Sequence, residues 1–216
     1  MEKLGKDELF TLAINLDLPN LLKFCAINKK INEKICMRDE IWNYKLETEF
    51  PDYKRLTSQK GKQTYQFLYA LLQLKQKLKI KESIYDLYNL KELNLSSKKL
   101  TELPKEIGLL DKLEILYVQN NQLTKIPKEI SRLTSLRELS LSSNQLTEIP
   151  KSLYHLKNLE KLDVSNNKLL DLPRELAYAP KLRRISLFNN EWSWDPKRLK
   201  KIKKDLSTIN YKLMYF

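Results

Sequence analysis

The stretch LRELSLSSNQLTEIPKSLYHL, residues 136–156, decides the fold of this chain. Its pattern returns every 23 residues, and the corresponding runs begin at residues 90, 113, 136, 159 and 182. Proline recurs with the same period, at Pro104, Pro127, Pro150, Pro173 and Pro196. A fixed period of this length is the signature of stacked repeats, because one short unit cannot bury its own apolar edge. The sequence therefore predicts a solenoid of five consecutive units.

Each unit contains an L-x-L run that predicts a short strand. Alternation places the two apolar side chains on one face of the strand and their neighbours on the other. The apolar pairs are Leu93 and Leu95, Leu116 and Val118, Leu139 and Leu141, Leu162 and Val164, and Ile185 and Leu187. These units resemble the leucine-rich repeat. The resemblance implies an α/β fold over residues 90–195, a leucine-rich-repeat solenoid with a short parallel β-sheet on its concave face.

Asparagine occupies the point where the chain turns off four of the predicted strands. A stacked amide there can pair backbone groups of neighbouring repeats that would otherwise be buried without partners. This predicts a structural ladder of Asn121, Asn144, Asn167 and Asn190. The end units depart from the pattern, with Lys98 in the asparagine position of the first and Trp192 and Asp195 in the last. Such departures are typical of caps, and residues 196–216 are predicted to form a C-terminal capping helix.

The composition excludes several kinds of catalytic site. Three isolated glycines cannot build a phosphate-binding loop or a G-x-G-x-x-G turn. Two cysteines and one histidine are too few for an ordinary structural zinc site. We expect Cys25 and Cys36 to be reduced and to serve as small buried hydrophobic residues. We therefore predict a protein that is not an enzyme, with no metal site and no cofactor.

The first residues lead directly into the charged run Lys6-Asp7-Glu8, and the sequence contains no apolar run of about 18 residues. Neither a secretory leader nor a membrane span is expected from this pattern. We therefore expect an intracellular protein of the cytoplasm or nucleus, without membrane contact and monomeric when alone.

Residues 1–50 follow a helical period and predict a three-helix head. The second helix is expected to begin beside Asp17 and Pro19, since aspartate caps helix N-termini and proline suits the first turn. The third is expected to run from Ile31 through Trp42. Residues 51–89 carry two apolar stripes, which predicts a buried helical connector and N-terminal cap.

Four runs of the head resemble an F-box: LGKDEL at 4–9, NLDLPNLL at 15–22, INKKIN at 27–32 and EIW at 40–42. They are similar in particular to the F-box-like heads of repeat proteins from large DNA viruses of protists. Gly5, Asn28 and Ile31 depart from the family pattern. The resemblance implies a head that binds a Skp1-type linker of a cullin ubiquitin ligase, in a host cell if the source is viral. The residues it places on that linker are Leu4, Leu9, Leu18, Pro19, Leu22, Ile27 and Ile31.

The outward side chains of the predicted strands form the candidate binding surface. Small serines leave a shallow trough there, and exposed aromatic side chains on a polar concave face are typical anchors for a protein ligand. The target-binding candidates are Ile115, Tyr117, Gln119, Ser140, Ser142, Lys161, Asp163, Ser165, Arg184, Ser186 and Phe188. Phe188 could instead pack against the C-terminal cap.

The formal net charge is +13, and the excess is concentrated in residues 51–90 and 191–216. In the repeats, a convex column of basic side chains lies beside a mostly acidic one, which is typical of a solvated surface. Three functions remain open: a non-catalytic ubiquitin-ligase adaptor, a leucine-rich-repeat interaction scaffold whose head is only a cap, and a basic nucleic-acid-binding protein. The placement of the charge favours a protein target over nucleic acid.

Overall fold

The computed structural model describes residues 6–27, 29–57, 59–206 and 213–215. The chain divides into two compact units. The helical unit comprises Met1–Gln76 and Lys81–Tyr85, and the repeat unit comprises Lys77–Ile80 and Asp86–Phe216. The helical unit thus extends well beyond the boundary at residue 50 that the sequence suggested.

The helical unit begins with α1 (Lys6–Ile14) and α2 (Leu18–Ile27). The carboxylate of Asp17 accepts the backbone N–H of Asn20 at 3.1 Å, so the predicted cap of α2 is confirmed. The predicted third helix is broken into pieces: α3 (Lys29–Ile31), a π-helical turn (Asn32–Cys36) and α4 (Asp39–Glu49). A short 3-10 turn (Tyr53–Arg55) and the helix α5 (Lys62–Lys77) follow, and then α6 (Ile84–Asn89), whose residues from Asp86 onward belong to the repeat unit.

The connector helix α5 contributes to the core of the helical unit. The indole of Trp42 is fully buried, and its N–H donates to the Cys36 carbonyl at 2.8 Å. The Tyr65 ring lies 5.8 Å from the Trp42 ring and 5.7 Å from that of Phe50. Aromatic rings at this separation attract one another and bury large apolar areas. Residues 62–76 therefore complete the head.

Cys25 and Cys36 form a disulfide, so the expectation of two reduced thiols was wrong. The π-helical turn ends at Cys36 and brings its Cα to 5.9 Å from that of Cys25. This separation lies within the narrow range that a disulfide spans without backbone movement. Disulfides persist mainly in oxidising compartments.

A polar cluster links α4 to α5 inside the helical unit. The Lys45 side chain is 2% exposed, pairs with the Glu49 carboxylate, and donates to the Ile14 carbonyl at 3.1 Å. The Tyr65 hydroxyl donates to Glu49 Oε2 at 2.6 Å. Burial of the phenol, followed by its hydrogen bond to Glu49, raises the pKa of Tyr65 above its ordinary range. The cluster therefore favours a neutral Tyr65.

We expect the helical unit to lose stability as the pH rises above about 10, where an unfolded tyrosine ionises. The raised pKa of Tyr65 means that the folded state binds its proton more tightly, so the contribution is present below that pH and lost above it. Tyr65→Phe should flatten the decline in the free energy of unfolding between pH 9 and 11. The control Tyr178→Phe, at a ring that is 73% exposed, should follow the wild-type curve. Parallel curves for Tyr65→Phe and wild type would contradict this assignment.

The repeat unit forms one six-stranded sheet in which every neighbouring pair is parallel. The strands are β1 (Glu92–Asn94), β2 (Ile115–Tyr117), β3 (Glu138–Ser140), β4 (Lys161–Asp163), β5 (Arg184–Ser186) and β6 (Leu213–Tyr215). Their register pairs equivalent positions, so Leu93, Leu116, Leu139 and Leu162 stack in line beneath the sheet. The predicted solenoid, preceded by a helical domain, is confirmed.

Each of the first four units turns into a short 3-10 helix directly after its proline. Pro104, Pro127, Pro150 and Pro173 all have φ between −59° and −65°, which proline's ring favours. The 3-10 helices are Lys105–Leu109, Lys128–Arg132, Lys151–His155 and Arg174–Tyr178. The buried Ile107, Ile130, Leu153 and Leu176 return from them to the core.

The four ladder asparagines are buried and bonded to backbone across repeats. Asn144 is representative: its amide N–H groups donate to the carbonyls of Val118 and Leu141 at 3.0 Å each. Its carbonyl oxygen accepts the backbone N–H of Leu123, also at 3.0 Å. One side chain therefore pairs backbone groups of two successive units.

Residues 196–216, predicted as the C-terminal cap, contain a helix and, among the described residues, a further strand. A 3-10 turn (Glu191–Trp194) leads into α7 (Pro196–Leu206), and β6 then adds to the sheet beside β5. The carboxylate of Asp195 accepts the N–H groups of Lys197 and Arg198, at 2.9 and 3.3 Å. Trp192 is 1% exposed. These contacts explain both departures from the repeat pattern, since one residue caps a helix and the other fills the core.

Candidate protein-binding face

The outward side of the sheet, here called the concave face, carries a shallow cavity of about 240 Å³. Side chains of β2 to β5 line it, with Tyr117 and Gln119 at one end and Arg184 and Ser186 at the other. Glu138, Ser140, Lys161 and Asp163 lie between them, because the alternation of each strand points its polar residues outward and its apolar residues inward. The strand pattern therefore brings most of the predicted target-binding residues into one continuous surface.

Glu138 is the centre of the polar contacts on this face. It accepts the Tyr117 hydroxyl at 3.2 Å through Oε1 and the Lys161 ammonium at 2.7 Å through Oε2. Burial, and after it the charge of Glu138, raises the pKa of the Tyr117 phenol. Tyr117 therefore stays protonated and keeps its orientation across β2 and β3.

The carboxylate of Asp163 is used within its own strand. It accepts the backbone N–H of Ser165 at 3.0 Å and its hydroxyl at 2.6 Å. Asn94 makes the same pair of bonds to Ser96, at 2.9 and 2.5 Å. These bonds fix the chain as it leaves β4 and β1, so Asp163 has a structural task in addition to its place on the surface.

The predicted surface residues differ in accessibility. Ser165 is 1% exposed and cannot contact a partner directly. Lys161, Arg184 and Phe188 are exposed, with 42% of Phe188 accessible. The remaining predicted residues are half-buried: Ile115, Tyr117, Gln119, Ser140, Ser142, Asp163 and Ser186. The face thus offers a half-buried aromatic side chain at Tyr117 and a more exposed one at Phe188.

Glu138 is not among the predicted target-binding residues, although it bridges Tyr117 and Lys161. The signal was in the sequence, because Glu138 precedes Lys161 by one period and parallel strands pair equivalent positions. An opposite charge at that spacing predicts an ion pair between neighbouring strands. Glu92 occupies the equivalent position in β1.

The residues suggested for a Skp1-type partner are divided by burial. Leu4 lies outside the described residues. Leu9, Leu18 and Ile31 are buried in the core of the helical unit. Pro19 and Ile27 are exposed, and Leu22 is half-buried, all on α2. A partner that docks on the folded unit could therefore contact the α2 residues, whereas the buried three hold the helices together.

Two further observations concern sites of other kinds. In the described part of the chain, no three His, Cys, Asp or Glu side chains come together as metal ligands would. Among those same residues, no helix combines the length and the apolar character needed to cross a membrane.

One family model and two solved structures are similar to parts of this chain. A model of the leucine-rich repeat region matches residues 68–213. A leucine-rich-repeat protein of Leptospira interrogans is similar at 34% identity over 61% of this chain, with a TM-score of 0.49. The BIR3–SERK2 complex of Arabidopsis thaliana contains a chain 38% identical over 45% of this one, with a TM-score of 0.43.

The chain matches 38% of the length of the Leptospira protein and 55% of the Arabidopsis one. No curated protein matches the sequence significantly. The family model covers more than half of the chain, and the stacked strands, prolines and asparagines agree with it. The chain belongs to the leucine-rich repeat family.

Proposed function

We propose that this chain is a non-catalytic adaptor that binds a target protein on its concave face. The observation that carries the proposal is that Arg184 and Phe188 are exposed and Tyr117 is half-buried on a face that is otherwise mostly polar. Tyrosine, arginine and other large planar groups are enriched among the residues that dominate binding energy at protein interfaces. The face combines these anchors with short side chains that let a partner approach closely.

The rigidity of the repeat unit supports this proposal. The strands beneath the face are fixed by fully buried leucines and by the asparagine ladder. Tyr117 and Lys161 are further held by Glu138. A surface that is already ordered loses little conformational entropy when a partner binds, and this improves affinity.

A pull-down with the intact chain tests the proposal. Tyr117→Ala/Phe188→Ala should remove at least one protein that the wild type retains, since truncating an anchor commonly costs more than about 2 kcal/mol of binding. Leu170→Ala/Tyr178→Ala is the matched control, because both side chains are exposed but lie off the strand positions. If the control variant loses the same protein, or neither variant loses any, the concave face is not the binding site.

We propose further that the helical unit recruits a Skp1-type linker, which would make the chain a ubiquitin-ligase adaptor. The support is the F-box resemblance of the head, together with the exposed Pro19 and Ile27 and the half-buried Leu22 on one helix. The proposed chemistry belongs to the recruited ligase, and this chain supplies only the two binding surfaces.

Co-purification with purified Skp1 tests that step. Leu22→Asp/Ile27→Asp should abolish the complex because charges would enter an apolar contact. Met37→Asp, at a side chain that is 72% exposed, should leave the complex intact. The experiment should be run with and without reductant, because of the Cys25–Cys36 disulfide. If no complex forms under either condition, the ubiquitin-ligase adaptor role is wrong. The chain is then an interaction scaffold whose helical unit is a cap.

A basic pocket in the repeat unit favours a second candidate function, the binding of nucleic acid. The pocket encloses about 430 Å³ and is lined by Lys77, Lys79, Lys98 and Lys99, with Glu102 as its acidic member. Lys77 also pairs with Glu106 at 3.2 Å. Binding of a single-stranded oligonucleotide should then weaken steeply with salt. A flat salt titration would remove this candidate.

A further inference from the structure

Two neighbouring rows of side chains cross the sheet from the first repeat to the fifth. The edge row, just before the strands, consists of Lys91, Glu114, Arg137, Glu160 and Arg183. Lys91 pairs with Glu114 at 2.9 Å, and Glu160 pairs with Arg137 at 3.0 Å and with Arg183 at 3.6 Å. Every member of the edge row is therefore in an ion pair within the repeat unit.

The strand row, at the first position of β1 to β5, consists of Glu92, Ile115, Glu138, Lys161 and Arg184, and β6 continues the sheet with Leu213 in register beside Arg184. Its middle is neutralised, because Glu138 holds both Lys161 and the Tyr117 hydroxyl. Among the residues that the structure describes, the charged residues at its two outer positions, Glu92 and Arg184, are not neutralised in this way. Glu92 and Arg184 are exposed, and in the described part of the chain neither forms an ion pair or a hydrogen bond through its side chain.

The charge at each end of the strand row is therefore available to a partner. Arg184 also lies beside Lys161 in the register of β4 and β5. Lys161 is already paired with Glu138, so Glu138 does not balance the charge of Arg184. A guanidinium can bind a carboxylate through two parallel hydrogen bonds, which adds orientation to the attraction.

The spacing of the two ends limits the kind of partner. Glu92 and Arg184 are four strand steps apart in the register. Adjacent strands lie about 4.8 Å apart, so the two side chains are separated by roughly 19 Å. An extended peptide rises about 3.3 Å per residue, and roughly six residues would span this distance. Ile115 and Tyr117 lie on the way, next to the acidic end.

We infer that the occupant of the concave face is an extended peptide segment that crosses the strands with a fixed order of charge. A basic side chain lies opposite Glu92, an apolar one rests on Ile115 and Tyr117, and an acidic one pairs with Arg184. This inference rests on the proposed function and adds the chemistry of the target. Opposite charges at the two ends also set the direction in which the segment lies.

A random dodecapeptide display library, selected against the full chain, tests the inference. Wild-type protein should enrich peptides in which a Lys or Arg and an Asp or Glu stand about six residues apart with an apolar residue nearer the basic one. The charge-exchange variant Glu92→Arg/Arg184→Glu should enrich peptides in which the apolar residue lies nearer the acidic residue. A synthetic peptide selected by the wild type should bind this variant at least tenfold more weakly, since two attractive pairs become repulsive.

The inference is overturned if both proteins enrich the same peptides, if the enriched peptides lack the spaced charges, or if no peptide is enriched. Tyr117→Ala/Phe188→Ala separates this failure from that of the proposed function. If the selected peptides bind this variant more weakly but bind the charge-exchange variant as tightly as wild type, the concave face is the binding site and the proposed charge order is wrong. Selected peptides that bind this variant as tightly as wild type would count against the face itself.

Discussion

Asn144→Ala is expected to lower the free energy of unfolding by roughly 3–5 kcal/mol, because several buried backbone groups lose their partners together. The amide of Asn144 donates to Val118 and Leu141 and accepts from Leu123, all at 3.0 Å. Each buried polar group left without a hydrogen bond costs on the order of 1–3 kcal/mol. Part of that cost returns if water enters the space left by the side chain.

Denaturant unfolding of the full chain measures this effect. Gln145→Ala is the matched control, since the neighbouring amide is exposed and its loss should change stability by less than about 0.5 kcal/mol. Asn144→Asp is a second comparison, because the side chain keeps its size but loses the N–H groups that donate to the carbonyls of Val118 and Leu141. Equal stability of Asn144→Ala and wild type would mean that the ladder does not hold the repeats together.

Trp42→Ala is expected to cost the helical unit a similar amount, about 3–5 kcal/mol, through loss of a large buried side chain. The indole fills the centre of the unit, contacts the Tyr65 ring of α5, and satisfies the Cys36 carbonyl. A cavity of that size, together with an unpaired carbonyl, adds two independent penalties. The substitution should therefore loosen α5 as well as α4.

Hydrogen exchange resolved along the chain measures the result. Amides of α1, α2 and α5 should lose protection in Trp42→Ala, and Tyr44→Ala, at a half-exposed ring two residues away, should leave them protected. Unchanged protection in α5 would contradict its place in the core of the helical unit. That outcome would instead restore the boundary at residue 50 that the sequence suggested.

The period of 23 residues was sufficient to predict the sheet, because equal spacing fixes the register of parallel strands. It placed Leu116, Leu139 and Leu162 in one buried line and their neighbours on the opposite face. The same reasoning could not find β6, since Leu213–Tyr215 lies outside the repeat pattern and joins the sheet as an added strand.

The helical unit was harder to predict because its contacts join residues far apart in the sequence. A helical period does not show that Tyr65 packs against Trp42 and Phe50. The disulfide depended on a π-helical turn, which a continuous third helix would not contain. Burial of Leu9, Leu18 and Ile31 likewise follows from packing, so a motif alone could not separate core residues from contact residues.

A site-specific crosslinking experiment tests the central claim most directly. A photo-crosslinking amino acid is placed at Ser140, in the middle of the concave face, or at His155, which is exposed on the 3-10 helix Lys151–His155. The protein partner recovered by the wild-type chain should crosslink from position 140 and not from position 155. Crosslinking from position 155 alone, or equally from both, would contradict the account.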